Sequence, residues 1–240
     1  MHSLTSVIES PRPATLFPIN MWDLNTLFPG FMPGDFAVLH GSPSVLSLCS
    51  LLCVRAQLPT QLGGLSTDVV FVDGANTFQL YQITRFAKLH QKDPKQVLDH
   101  IVLARAFTAY QMTKLIMQKL EEAIKEHNAK LVIISDIAAT FLDKDVQDEE
   151  AKKIYSQIIT KLSVLAKQYQ TIIIVTYLPH QETQRDDYLQ TLTKAKATTI
   201  IGLHQSKYTR EIALEKHPSY VLGEVELPTE AMPLTHFMKA

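Results

Sequence analysis

Five short apolar runs, most of them rich in β-branched residues, recur along the chain, and between them lie stretches with helical spacing. They cover residues 36–40, 69–73, 101–105, 131–136 and 171–176. The run 69–73 shows no alternation of apolar with polar side chains before its closing carboxylate. A strand of that kind must be covered on both faces, which is the condition of a central parallel strand. The intervening segments 45–58, 78–90, 110–127 and 154–169 read as helices, and Asp93-Pro94 opens a further one with Pro where a first helical turn accepts it. Strands that alternate with helices predict an α/β fold with a mainly parallel, doubly wound sheet. Three late runs, 198–203, 210–216 and 225–227, read as antiparallel strands at the C-terminal edge. Residues 1–20, with Pro11 and Pro13, read as an N-terminal arm, and 21–240 as one core domain.

Composition narrows the function classes. Apolar residues make up 46% and charged residues 20%, enough to bury a core. The formal net charge is −1, so nucleic-acid contact would need a local basic patch. Cys49 and Cys53 are four apart, which suits two buried thiols on a helix and a reducing cytoplasm better than a zinc site. The longest apolar stretches, 131–134 and 171–175, fall far short of the ~20 residues that cross a membrane. The nine histidines form no metal-ligating pattern on a short segment.

In an open parallel sheet, ligands bind beyond the C-terminal ends of the strands. The first strand runs into Gly41-Ser42-Pro43-Ser44-Val45-Leu46-Ser47-Leu48. A phosphate-binding loop there has the form G-x-x-x-x-G-K-[ST]. Gly41 matches its first glycine. Leu46 stands where the second glycine lets backbone N–H groups approach phosphate, Ser47 where lysine neutralises charge, and Leu48 where a hydroxyl ligates magnesium. By its residues alone, the segment is a turn followed by a core helix.

Longer stretches carry a resemblance. Residues 22–58 are similar to the start of the RecA/RadA recombinase core. Val69-Val70-Phe71-Val72-Asp73-Gly74-Ala75-Asn76-Thr77-Phe78 resembles that family's strand followed by Asp-Thr-Glu-Gly-Thr-Phe. The most specific match is 93–107, which resembles D-P-x-x-V-L-D-N-I-x-x-A-R-A-F. Residues 131–141 are similar to the Walker B region, and 197–218 to the last strands of RadA-like paralogues. The resemblance implies a RecA-like P-loop NTPase core, as in archaeal single-domain RadA paralogues.

It also marks departures. The family's catalytic glutamate falls at Ala75, whose methyl group accepts no proton. The Walker B aspartate falls at Ser135, with Asp136 one position later, where a strand turns the side chain to the other face. Thr176-Tyr177-Leu178 replaces a Thr-Asn-Gln sensor. With the phosphate loop, four elements have changed together, so no catalytic residue and no cofactor are expected; ATP with magnesium enters only if the site has been rebuilt. Of the two loops that bind DNA in the family, the first corresponds to the acidic residues 143–150. The second, 179–196, offers His180, Arg185, Tyr188, Lys194 and Lys196 for single-stranded DNA. The resemblance thus implies an accessory factor of homologous recombination whose partner is a recombinase or a recombinase paralogue, with single-stranded DNA or a second copy of the chain as further partners. Two alternatives stand beside it: an ATP-binding repair ATPase with a rebuilt site, and a regulatory or scaffold protein of the RecA/KaiC superfamily unrelated to DNA.

Overall fold

The computed structural model describes residues 16–20, 22–205 and 209–227. Eight strands build one sheet: β1 (Phe36–Gly41), β2 (Val69–Asp73), β3 (Ile101–Arg105), β4 (Leu131–Ser135), β5 (Ile172–Tyr177), β6 (Thr199–Gln205), β7 (Arg210–Lys216) and β8 (Gly223–Leu227). Their spatial order is β3-β2-β4-β5-β1-β6-β7-β8. From β3 to β6 every pairing is parallel; β7 and β8 add antiparallel. The antiparallel edge expected from 198 onward therefore starts one strand later, because β6 hydrogen-bonds in parallel to β1.

Strands β2, β4 and β5 are buried at every position, and β1 at all but its last residue. Side chains alternate between two apolar layers. Leu39, Phe71, Ile133 and Ile174 pack with α1 (Trp22–Leu27), α2 (Val45–Ala56), α3 (Leu80–Leu89) and α4 (Pro94–Asp99). Val38, Val72, Ile134 and Val175 pack with the other helices: α5 (Ala109–Lys114), α6 (Leu120–Glu126), α7 (Asp148–Tyr169) and α8 (Gln184–Lys196). Helix α2 is buried at every residue but Ser47, so it sits within the core rather than upon it. Both cysteines are free and buried, and burial pushes the Cys49 thiol up to about 12.

Some elements differ from the sequence reading. Helices α5 and α6 are one rod, interrupted by a π-helical turn over Leu115–Lys119. Helix α7 starts at Asp148 and takes in the end of the acidic segment. The stretch 179–196 is a loop only as far as Thr183, which caps α8 by accepting from the Asp186 N–H. Two residues expected in the N-terminal arm lie in the core instead. Phe17 bridges Phe31, and Phe17 and Ile19 are wholly buried in the core; residues 1–15 lie outside the described residues. No helix among the described residues is long and apolar enough to cross a membrane.

Phe17 therefore behaves as a core residue. Phe17→Ala should destabilise the fold by about 3–5 kcal/mol, read as a lower urea midpoint at unchanged slope. A change under about 0.5 kcal/mol, the scale of an ordinary surface site, would return Phe17 to a loose arm.

Candidate functional site

Parallel pairing brings the C-terminal ends of the strands to one rim: His40 lies beside Tyr177, and Asp73 beside both Ser135 and Arg105. The polar residues singled out from sequence gather there, in three groups.

The first is the turn from β1 into α2. Gly41 adopts φ +98°, and a Cβ on it would stand 2.3 Å from the Leu203 carbonyl oxygen. Only glycine allows that approach. The turn is then closed by its own hydrogen bonds. The Ser42 N–H donates to the Leu203 carbonyl at 2.7 Å, and the Ser44 N–H to Ser42 Oγ at 3.3 Å. The N–H groups of Val45, Leu46 and Leu48 donate to the carbonyls of Ser42, Pro43 and Ser44 at 3.1–3.2 Å. Pro43 has no N–H to offer. Leu46 and Leu48 are buried in the core, and Ser47 Oγ lies 3.5 Å from Gln79 Oε1. Outside the turn lies an open cleft of about 770 Å³, walled by Gly41, Ser42, Pro43 and Ser44 with Pro179, His204, Gln205 and Glu211. No lysine or arginine stands among its described lining residues.

The second group holds Ser135, the residue expected at the Walker B position. Asp73 is wholly buried. Its Oδ1 accepts from the Thr77 N–H at 2.7 Å, from Thr77 Oγ1 at 3.2 Å and from Ser135 Oγ at 3.1 Å, while Oδ2 accepts from the Phe78 N–H at 3.2 Å. Arg105 Nε stands 3.5 Å from Oδ2. Ser135 thus serves as a strut that fixes the β2–α3 turn. Ala75 lies exposed on that turn, outside the network.

The third group lies across the sheet. Strand β4 ends at Ser135, and Asp136 takes a left-handed φ of +44°. Its N–H donates to Thr176 Oγ1 at 2.8 Å, and its carboxylate meets His180 Nε2 at 2.8 Å. That hydrogen bond raises the His180 pKa above its ordinary value, against a smaller opposing effect of burial. The Tyr177 hydroxyl donates to Asp186 Oδ1 at 2.6 Å; burial first, and that bond second, push its pKa well up.

The five residues proposed for DNA contact are mostly engaged inside the protein. Arg185 Nε donates to Asp148 Oδ1 at 2.7 Å, and Nη2 also contacts that oxygen. Its Nη1 donates to the carbonyls of Phe141 and Asp143 at 3.0 and 2.8 Å, and Nη2 to that of Val146 at 2.8 Å. One guanidinium thereby ties α8 to the first loop. Lys194 pairs with Glu215 at 3.2 Å, and that carboxylate also meets His40 at 2.9 Å. Lys152 lies 5.5 Å above the Tyr188 ring. Lys196 is exposed. Sequence reasoning missed both the Arg185 tie and the Asp136–His180 pair. The signal for the first was an acidic segment facing a single arginine; the second carries none in local spacing.

Comparison with known proteins gives two findings. The family model described as Rad51 matches residues 40–210. The DNA repair and recombination protein RadA of Cenarchaeum symbiosum (strain A) is 27% identical over 164 residues, covering 67% of this chain and 40% of that relative. The chain spans less than half the length of this curated relative.

Removing the guanidinium should loosen the tie. Arg185→Ala should cost about 2 kcal/mol and speed amide exchange across residues 141–148; unchanged exchange there would show that the tie holds nothing. The Asp136–His180 pair has a defined pH sign. A histidine pKa raised in the fold adds stability that is whole below its ordinary 6.5 and is lost as pH climbs through the raised value. The stability gap between wild type and His180→Asn should be wider at pH 6 than at pH 9. A gap that widens towards pH 9 would contradict the pairing.

Proposed function

The chain belongs to the Rad51 family, and from that membership we propose that it is a non-hydrolysing recombinase paralogue, an accessory factor in homologous recombination and DNA repair. The closed turn between β1 and α2 carries this reading. A triphosphate needs free backbone N–H groups and a cation at that point. Here the N–H groups of Ser42, Ser44, Val45, Leu46 and Leu48 are bonded within the protein, and serine stands in place of lysine. The residues do not fit a magnesium-bound nucleotide. Ala75 supplies no base, and the Ser135 hydroxyl is engaged with Asp73.

A decayed nucleotide site leaves the outer surfaces of the fold free to recognise a partner. Strand β3 is the sheet's edge, with Leu103 38% exposed on it. An extended segment of a recombinase or of another paralogue can add there as a further strand. Direct capture of single-stranded DNA by 179–196 draws less support, since Arg185 and Lys194 already have carboxylate partners.

Calorimetric titration with magnesium-ATP should give no saturable heat up to about 1 mM, and pull-down from native lysate should recover a recombinase or recombinase paralogue. Micromolar binding with phosphate release would favour a rebuilt ATPase. An empty pull-down, together with no effect on a recombinase filament, would remove the accessory role.

A further inference from the structure

The C-terminal end of α2, remote from the β1–α2 turn, holds a charge that the fold leaves unpaired. Arg55 lies in the last turn of that helix and is only 3% exposed. Its Nε donates to the Pro18 carbonyl at 3.3 Å; among the described residues, no other hydrogen bond and no carboxylate meets the guanidinium. Burial lowers its pKa to about 10, so the group keeps its charge at neutral pH. A buried cation without a counter-ion is costly, and an anion seated on it offsets that cost.

A second unsatisfied group lies on the neighbouring helix. His90 closes α3, which packs against α2. Its Nδ1 donates to the Phe86 carbonyl at 3.0 Å, which leaves Nε2 with a lone pair that needs a donor. That nitrogen is buried and has no partner among the described residues. Burial first, and the nearby Arg55 charge to a smaller extent, hold the ring below its ordinary pKa against the Phe86 hydrogen bond. The ring is therefore neutral at pH 7, and it lies within reach of the Arg55 charge.

The cover over the guanidinium is thin. Gly63, at a left-handed φ of +71°, ends a 3-10 turn over Thr60–Leu62 whose three residues are exposed. A methyl group added to Gly63 would meet Arg55 Nη2 and Pro18 at 3.4 Å, and apart from its chain neighbours nothing nearer. Room for an atom thus stays open beside that nitrogen, on the solvent side.

The two groups call for one ligand with two kinds of oxygen. The guanidinium fork takes an anionic oxygen, and His90 Nε2 takes an O–H. A carboxylate or a sulfate supplies only the first at neutral pH; phosphate, which keeps a proton there, supplies both. We propose that Arg55 and His90 form a binding site for hydrogen phosphate. The slight exposure of Arg55 selects the free anion over a bulky phosphate ester. The inference does not depend on the accessory role, because binding is read without nucleotide, DNA or recombinase.

Calorimetric titration of the full chain at about pH 7, with inorganic phosphate and separately with sulfate at matched ionic strength, tests it. Wild type should bind phosphate saturably, and at least about tenfold more tightly than sulfate. Arg55→Met, which keeps the length and removes the charge, should weaken phosphate binding at least about tenfold. Arg85→Met, at an exposed position of α3, should leave it unchanged. His90→Leu should retain sulfate binding and lose the preference for phosphate. Wild type without saturable phosphate binding would overturn the proposal, and so would undiminished affinity in Arg55→Met. Equal binding of the two anions by wild type, a measurement that needs no variant, would overturn it as well.

Discussion

The structure depends on a sheet whose central strands are dry on both faces. Strands β1, β2, β4 and β5 expose almost no side-chain surface, so their polar chemistry is confined to the C-terminal rim. There the side chains alternate between two layers. Asp73 and Ser135 face the α2–α3 layer, and Asp136, one residue on, reaches His180 in the α7–α8 layer. A single-residue shift in a strand end decides which half of the molecule a carboxylate serves. The pair Ser135 and Asp136 is the clearest instance, since the serine meets Asp73 and the next residue's carboxylate meets His180.

That separation bears on what the altered residues now do. Several groups of the β1–α2 turn and of the β4 end have internal partners. The Ser42 N–H has the Leu203 carbonyl, the N–H groups of Leu46 and Leu48 have carbonyls in their own turn, and Ser135 has Asp73. Buried polar groups left without partners are costly, so the bonds that Asp73 and Ser135 make to one another and to Thr77 stabilise this rim. The leucines contribute as well: Leu46 and Leu48 carry the apolar layer of α2 up to the turn.

The fold was legible because burial writes itself into local sequence. Runs such as 131–134 and 172–175 name their strands without reference to anything distant. The family pattern at 93–107 then supplied the topology that periodicity alone leaves open. What sequence did not disclose depends on contacts across long separations. Parallel pairing of β6 with β1 joins residues about 160 apart, and the Arg185 tie joins α8 to carbonyls about 40 residues earlier. The stretch 184–196 reads as polar because much of its surface is wet, yet the Thr183 cap and buried Leu189 make it a helix. Phe17 and Ile19 were placed in an arm because the prolines before them outweighed two isolated apolar residues.

Legibility also fails in a systematic direction. Motif comparison reports what a position has lost, as at Ser47, Ala75 and Ser135, and is silent on what the substituted residue has gained. In the structure, Ser135 donates to Asp73 and Ser47 lies beside Gln79. A lysine restored at position 47 would still face a turn whose N–H groups are bonded, whose second glycine is the buried Leu46, and whose closest approach is held at Gly41 by the Leu203 carbonyl. The Asp73 carboxylate would likewise remain wired to Thr77 and Ser135. The residues at 46, 47, 73 and 135 are thus tied into one another's surroundings, and no single replacement would undo those contacts.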